Sequence, residues 1–161
     1  MRELALRILT TGIVAGVASA AAAMAGARRD HGHAVRPINA IAHIYDGGPP
    51  PAANGRHNRN TLLGFALHTA ASVWWAAFYE ALRPRSRSPG AAIAVSAAAY
   101  IVDYYVVSRR FRPGFERYLS RRSLFAVYAA LAAGFIASPA RGRPSGPRRP
   151  RARPRSGSGR R

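Results

Sequence analysis

The sequence predicts an all-α fold, an integral membrane four-helix bundle, and three observations support this prediction. Four apolar stretches of 18–20 residues lie between segments rich in arginine. At about 1.5 Å per residue, each stretch covers roughly the 30 Å hydrocarbon core of a bilayer. Only two ionisable side chains, His68 and Asp103, fall inside them, and the slightly negative mean hydropathy comes from polar residues concentrated in the first loop and the tail.

The predicted spans belong to one membrane domain, residues 1–138, because the chain length suits a single domain. The remaining residues, 139–161, are rich in Arg, Pro, Gly and Ser, and we expect a disordered basic tail because they cannot bury apolar surface. The four predicted spans are Ile8–Ala27, Thr61–Tyr79, Gly90–Ser108 and Ser123–Ala140.

The first span carries two competing signals. Arg2, the apolar run and the Ala25-Gly26-Ala27 triplet are compatible with a cleavable signal peptide. However, the uncharged run is longer than a usual signal core, so a retained span is favoured. Gly12 and Gly16 form a GxxxG spacing, which predicts a face for close helix packing, either within the chain or against another membrane protein.

The first loop, Arg28–Asn60, contains a predicted short amphipathic helix at the membrane surface, Pro37–Asp46. Pro37 suits a first helical position, and Gly47-Gly48 is expected to end the helix. Asn39 and His43 lie four residues apart, so they share one helical face. Later in the chain, Glu80 and Arg83 are expected to pair near the headgroups.

All basic residues are arginines, and the formal net charge is +19. Because they are spread over every connecting segment, a nucleic-acid partner is disfavoured, and anionic lipid headgroups are the expected partner of the tail. With four crossings, the side of the termini carries 14 arginines and the other side 11. This bias predicts that both termini lie in the cytoplasm.

The ionisable residues inside the spans are the candidate functional residues, since they are expensive in lipid. His68 and Asp103 are each displaced from the centre of their span towards the side of loops one and three, roughly 5–6 Å from the midplane. Asn39 and His43 approach from that side, so the four residues form a predicted polar cluster. Three interpretations are open: an interhelical contact, a site for a proton, ion or small ligand, and Asp103 turned to Arg109 or Arg110.

Other chemistry is poorly supported. The chain has no cysteine, no phosphate-binding glycine loop, no nucleophile elbow and few carboxylates, so we expect no enzyme activity and no cofactor. Asp30, His31 and His33 offer possible metal donors in the first loop, but their spacing matches no strong zinc pattern, and no metal site is predicted.

Three segments carry a family resemblance: Pro37–His43, His68–Glu80 and Val102–Tyr104. Their Asn-Ala-x-x-His, His-x-x-x-Ser-x-Trp and Asp-Tyr patterns resemble the YagU-like four-span proteins, small bacterial inner-membrane proteins. The resemblance covers about residues 8–138, and it implies a membrane location without an activity to transfer.

Together these features predict a non-enzymatic multi-pass membrane protein. Its polar cluster either stabilises the bundle or binds a proton, an ion or a small ligand. The alternative is a subunit or assembly partner of a larger membrane complex, docking through Gly12 and Gly16 onto another protein or a second copy. A membrane-embedded enzyme that uses His68 and Asp103 is a third hypothesis.

Overall fold

The computed structural model describes residues 1–47, 57–82 and 89–138, and every regular element in these ranges is helical. The predicted tail lies outside the described residues. A π-helical turn continues the fifth helix, and two 3-10 turns join it to the sixth. In chain order the elements are α1 (Arg2–His31), α2 (Arg36–Ile41), α3 (His43–Asp46), α4 (His57–Leu82), α5 (Gly90–Ile101), the π turn (Val102–Val106), the 3-10 turns (Arg109–Phe111 and Phe115–Arg117) and α6 (Arg121–Ala137).

The four long helices form a closed bundle in which neighbours in sequence are neighbours in space. Helix α1 packs against α4 and most extensively against α6, and α5 packs against α4 and α6. Gly12 lies against Val73 and Gly16 against Thr69, so α1 and α4 are antiparallel. Such up-and-down connectivity is typical of four-helix bundles.

Glycines set the distance between these helices. A Cβ added to Gly12 would lie 2.5 Å from the Cα of Val73, and one added to Gly134 would lie 2.5 Å from the Cα of Ala15. Neither position has space for a larger side chain, so the backbones approach closely. The Gly12 and Gly16 stripe is therefore covered by α4 of the same chain.

Two of the predicted spans coincide with helices that are long and apolar enough to cross a membrane, Arg2–His31 and Asn58–Leu82. The third apolar helix, Gly90–Val106, is shorter, and its last five residues are π-helical. The fourth, α6, ends at Ala137, where the extended backbone of Ser138 terminates it. The helices that correspond to the third and fourth predicted spans are thus shorter than those spans.

The predicted surface helix of the first loop requires correction. It consists of two short helices, α2 and α3, and residues 37–43 are buried inside the bundle. The cause is Gly64 in α4, which has no side chain and accommodates the backbone carbonyl of Ile38 directly. The predicted ends are correct: Pro37 lies in the first turn of α2, and Gly47, with φ of 74°, caps α3.

Candidate functional site

The two ionisable residues of the predicted spans, His68 and Asp103, line the same cavity, which has a volume of about 250 Å³. We call it the His68–Asp103 cavity. Helices α1, α4 and α6 and the π turn after α5 form its walls, and the first-loop segment and the 3-10 region contribute to them. Its lining residues are Ser19, Ile41, Ile44, Leu67, His68, Ala71, Ser72, Trp75, Ala99, Asp103, Phe111, Pro113, Phe115, Val127, Tyr128 and Leu131.

His68 is fixed by helix α1. Its Nε2 lies 3.1 Å from the carbonyl oxygen of Gly16 and 3.0 Å from Ser19 Oγ. A carbonyl oxygen can only accept, so Nε2 carries the proton and donates to it. Ser19 Oγ in turn donates to the carbonyl oxygen of Ala15 at 2.8 Å. The hydrogen bond to Gly16 fixes the Nε2 proton and the orientation of the ring against α1.

Asp103 is fixed by helix α6. It lies in the π turn, and its carboxylate accepts a hydrogen bond of 2.7 Å from the hydroxyl of Tyr128. Single π turns inside α-helices are frequent at functional sites because they change the direction of a side chain. Tyr128 also accepts, through its backbone carbonyl, a hydrogen bond from Ser96 Oγ of α5. The carboxylate is therefore held where α5 meets α6.

His68 and Asp103 share the cavity but bond to different partners. The imidazole bonds to α1 and the carboxylate bonds to α6. This geometry does not match a direct His68–Asp103 contact between helices. It matches the second interpretation better, a site in which the two polar groups lie separately. Asp103 is also not turned to Arg109 or Arg110, since its hydrogen bond goes to Tyr128.

Asn39 and His43 are placed differently from the predicted cluster. Asn39 Oδ1 accepts a 2.6 Å hydrogen bond from Thr61, which attaches α2 to the start of α4. His43 Nδ1 donates to the carbonyl oxygen of Ala40 at 2.6 Å. Both side chains are buried, but neither lines the His68–Asp103 cavity. The first-loop segment instead contributes Ile41 and Ile44 to the cavity wall.

Aromatic rings form much of the remaining wall. Phe115 lies 6.1 Å from the His68 ring, centroid to centroid, and Trp75 and Phe111 also face the cavity. Phe115 itself is 2% exposed, so the 3-10 turn that carries it closes one end of the bundle. The cavity is thus mainly apolar and aromatic, with one carboxylate and a few hydrogen-bonding groups.

The sequence interpretation missed two residues. Tyr128 lies inside the fourth predicted span, and its hydroxyl group in an apolar stretch was the signal that could have identified it. Glu80, predicted to lie near the headgroups, is 1% exposed and accepts a 2.9 Å hydrogen bond from Thr11. Its expected partner, Arg83, lies outside the described residues. Thr11 precedes Gly12, so the close α1–α4 approach is what lets Thr11 reach Glu80.

Asp30, considered above as a metal donor, holds the end of α1 against the start of α6. Its carboxylate accepts hydrogen bonds from Ser123 Oγ at 2.6 Å and from the Ser120 backbone N–H at 2.9 Å. These bonds, with that from Ser123 first, hold the pKa of Asp30 well below its usual range. Among the described residues, no group of three or more His, Asp or Glu side chains is placed to hold a metal ion.

Comparisons with protein-family models, curated proteins and solved structures give no match to this chain. The resemblance to the YagU-like proteins therefore stays a prediction. A function is inferred below from the positions of the side chains.

Proposed function

We propose that this chain is a multi-pass membrane protein that crosses the bilayer through α1, α4, α5 and α6. The distribution of its side chains supports this. Large apolar side chains are exposed on the outer surface, whereas several polar side chains are buried beside apolar ones such as Ile38 and Phe135. Such an outer surface is unfavourable in water but suits lipid, where polar groups must be satisfied internally. Examples are Val17, Trp74 and Phe125, which are 61%, 64% and 76% exposed, and Thr11, Ser19, Ser72 and Glu80, which are at most 3% exposed.

The shorter helices are compatible with this proposal. The helix that includes the π turn, Gly90–Val106, and α6 each have 17 residues, which gives about 25 Å. This length is at the lower end of what spans a bilayer, and local thinning accommodates such a mismatch. The arginine bias favours cytoplasmic termini, and the resemblance to the YagU-like proteins implies the cell inner membrane.

Within this setting, we propose that the His68–Asp103 cavity binds a small organic cation. The observation that carries this proposal is that one carboxylate and several aromatic rings line the same cavity. Asp103 supplies the opposite charge, and the faces of Trp75, Phe111 and Phe115 attract a cation through their quadrupoles. An ionisable residue beside an intramembrane cavity is a functional-site hypothesis by default.

Two further features fit this ligand class. The cavity, at about 250 Å³, is smaller than the usual range for drug-sized ligands, so a small amine is the appropriate size. The hydrogen bond from His68 Nε2–H to the Gly16 carbonyl oxygen turns this nitrogen to α1, so its proton is directed at the backbone rather than at a ligand. We propose binding without turnover, because His68 and Asp103 are hydrogen-bonded to different helices rather than to each other.

The test uses the two tryptophans of the chain, Trp74 and Trp75. In a Trp74→Phe variant, the remaining Trp75 reports from the cavity wall. We expect benzylammonium to change its fluorescence saturably in the detergent-purified protein, and benzyl alcohol, a neutral analogue of the same shape, to bind about tenfold more weakly or worse. The tenfold ratio corresponds to about 1.4 kcal/mol for the charge.

Two variants in this background control the test. Asp103→Asn should remove the preference for the cation while still accepting from Tyr128. Asp46→Asn, which removes the same charge from an exposed position paired with Arg59, should retain it. Equal affinity for the two probes, or no saturable change with benzylammonium, would overturn the cation proposal and leave the polar groups as helix-packing contacts.

The alternative function, a docking subunit that uses Gly12 and Gly16, receives less support. Helix α4 of the same chain packs against both glycines, so this stripe is not accessible to a partner protein. The membrane-enzyme hypothesis is also weaker, since His68 and Asp103 are oriented by different helices rather than by one another.

A further inference from the structure

A second concave site lies on the outer face of the bundle between α5 and α6, and we call it the α5–α6 groove. Its volume is about 1130 Å³, much larger than the His68–Asp103 cavity. Tyr128 contributes to both sites. The groove is lined by Ile93, Ser96, Ala97, Tyr100, Tyr104, Tyr105, Arg112, Glu116, Arg121, Leu124, Phe125, Tyr128, Ala129, Ala132, Ala133 and Ile136.

The long part of the groove is apolar. Ala97, Ala129 and Ala133 are small residues on its walls and floor, and exposed Ile93 and Ile136 lie at its far end. From Ile93 to Tyr105 the helix extends about 18 Å at 1.5 Å per residue. One leaflet contributes about 15 Å of hydrocarbon, half of the roughly 30 Å core, so the groove is about as long as one acyl chain, and it extends across the centre of the third predicted span.

The other end of the groove is polar and basic. Arg112 and Arg121 lie there together with Glu116, which leaves one excess positive charge. Neither arginine forms an ion pair with any residue that the structure describes. The Nε of Arg112 is buried and has no hydrogen-bond partner within the described ranges. A buried guanidinium N–H without an acceptor is costly, which indicates an anionic ligand at this end.

We propose that the α5–α6 groove binds one membrane phospholipid with an anionic headgroup. Its phosphate would lie between Arg112 and Arg121, and one acyl chain would follow the alanine-rich floor towards Ile93 and Ile136. Tyr104 and Tyr105 line the groove towards the end that carries the arginines. This inference rests on the proposed membrane location but is independent of the cation site.

The experiment is native mass spectrometry of the full-length protein in detergent, with dioleoyl phosphatidylglycerol and dioleoyl phosphatidylcholine added separately. We expect one molecule of phosphatidylglycerol to bind about tenfold more tightly than phosphatidylcholine. The double variant Arg112→Gln/Arg121→Gln should remove this preference, since each arginine near a headgroup contributes on the order of 1 kcal/mol, or about fivefold.

A matched control removes two arginines from the same end of the bundle but outside the groove. Arg117→Gln/Arg122→Gln should leave the preference unchanged, because both side chains are exposed and neither lines the groove. Similarly, Ala133→Phe fills the apolar part of the groove and should weaken the binding of both lipids. Ala126→Phe, on another face of α6, should leave their binding unchanged.

Equal binding of the two lipids, or an equal loss in the control double variant, would overturn the inference in favour of diffuse attraction to the basic surface. Carbonate extraction of native membranes distinguishes this failure from that of the proposed function. If the protein stays in the membrane pellet without lipid preference, only the groove inference fails. If carbonate releases the protein, the membrane proposal fails as well.

Discussion

Single side chains in this protein bond across long sequence distances, and Asp30 shows this most clearly. Its carboxylate joins α1 to the start of α6 through Ser120 and Ser123, about ninety positions later in the chain. Arg29 adds a 2.9 Å hydrogen bond from its guanidinium to Ser123 Oγ. These contacts close the ring of helices, so the first and last described helices are held by polar bonds at one end.

The lowered pKa of Asp30 predicts a pH dependence of stability. As pH falls below the ordinary value of about 3.9, the unfolded chain takes up the proton before the folded one. The stabilisation by Asp30 is therefore complete above that value and is lost as pH falls towards the lower pKa of the folded state. In detergent, the difference in unfolding midpoint between wild type and Asp30→Asn should be present at pH 7 and smaller at pH 3.

The control for this comparison is Glu3→Gln, which removes the same charge from an exposed position in the first turn of α1. Its difference from wild type should be small and should change little with pH. If the Asp30→Asn difference stayed constant from pH 7 to pH 3, the assignment of Asp30 as a hydrogen-bonded carboxylate would be wrong.

Residue roles were predictable only where they depend on local sequence. Pro37 and Gly47 act within their own turns, and the sequence places both correctly. The roles of Asp30, Glu80 and Tyr128 depend on which helix lies opposite them, and the spacing of apolar residues does not contain that information. The shared location of His68 and Asp103 was accessible because position can be counted along each apolar stretch from its centre.

At the scale of elements, close packing through glycine determines how α1 meets α4 and α6. The apolar stretches place the helices, with the π turn counted as part of α5, within six residues of their observed ends, but they do not specify the partner of each face. The GxxxG spacing predicted a packing face, and α4 occupies it. The first-loop segment was predicted at the surface because its burial depends on Gly64, which lies in a different helix.

The two glycines of the stripe should differ in their tolerance of alanine. At Gly12 a Cβ would lie 2.5 Å from the Cα of Val73, so the helices must separate. At Gly16 the nearest atoms would be Ser72 Oγ at 3.1 Å and Ser72 Cβ at 3.2 Å, so a shift of a few tenths of an ångström is enough. We expect Gly12→Ala to lower the free energy of unfolding by about 1–3 kcal/mol, and Gly16→Ala by clearly less.

Thermal unfolding in detergent, followed by circular dichroism, measures this difference, and each variant serves as the control for the other. Equal losses for Gly12→Ala and Gly16→Ala would contradict the described α1–α4 interface. A change in association state without loss of stability would instead favour the docking hypothesis for this stripe.

For the whole molecule, one physical principle connects the sequence to the proposed sites. An apolar exterior requires that polar groups be satisfied inside, and the bundle does this with bonds such as Thr11 to Glu80 and Tyr128 to Asp103. Because the α5–α6 groove lies on this outer surface, it faces the proposed lipid. The all-helical fold followed from the sequence, whereas the cavity and the groove depend on side-chain packing between helices.

The central claim, that the apolar exterior faces lipid, is tested most directly by two adjacent tryptophans. Trp74 is 64% exposed on the outer face of α4, and Trp75 lines the His68–Asp103 cavity. Trp75→Phe and Trp74→Phe leave each as the single fluorophore in vesicles of phosphatidylcholine brominated along its acyl chains. We predict strong quenching of Trp74 by the brominated lipid, weaker quenching of Trp75, and little quenching of Trp74 by aqueous acrylamide. Quenching of Trp74 by acrylamide, without quenching by brominated lipid, would contradict the claim.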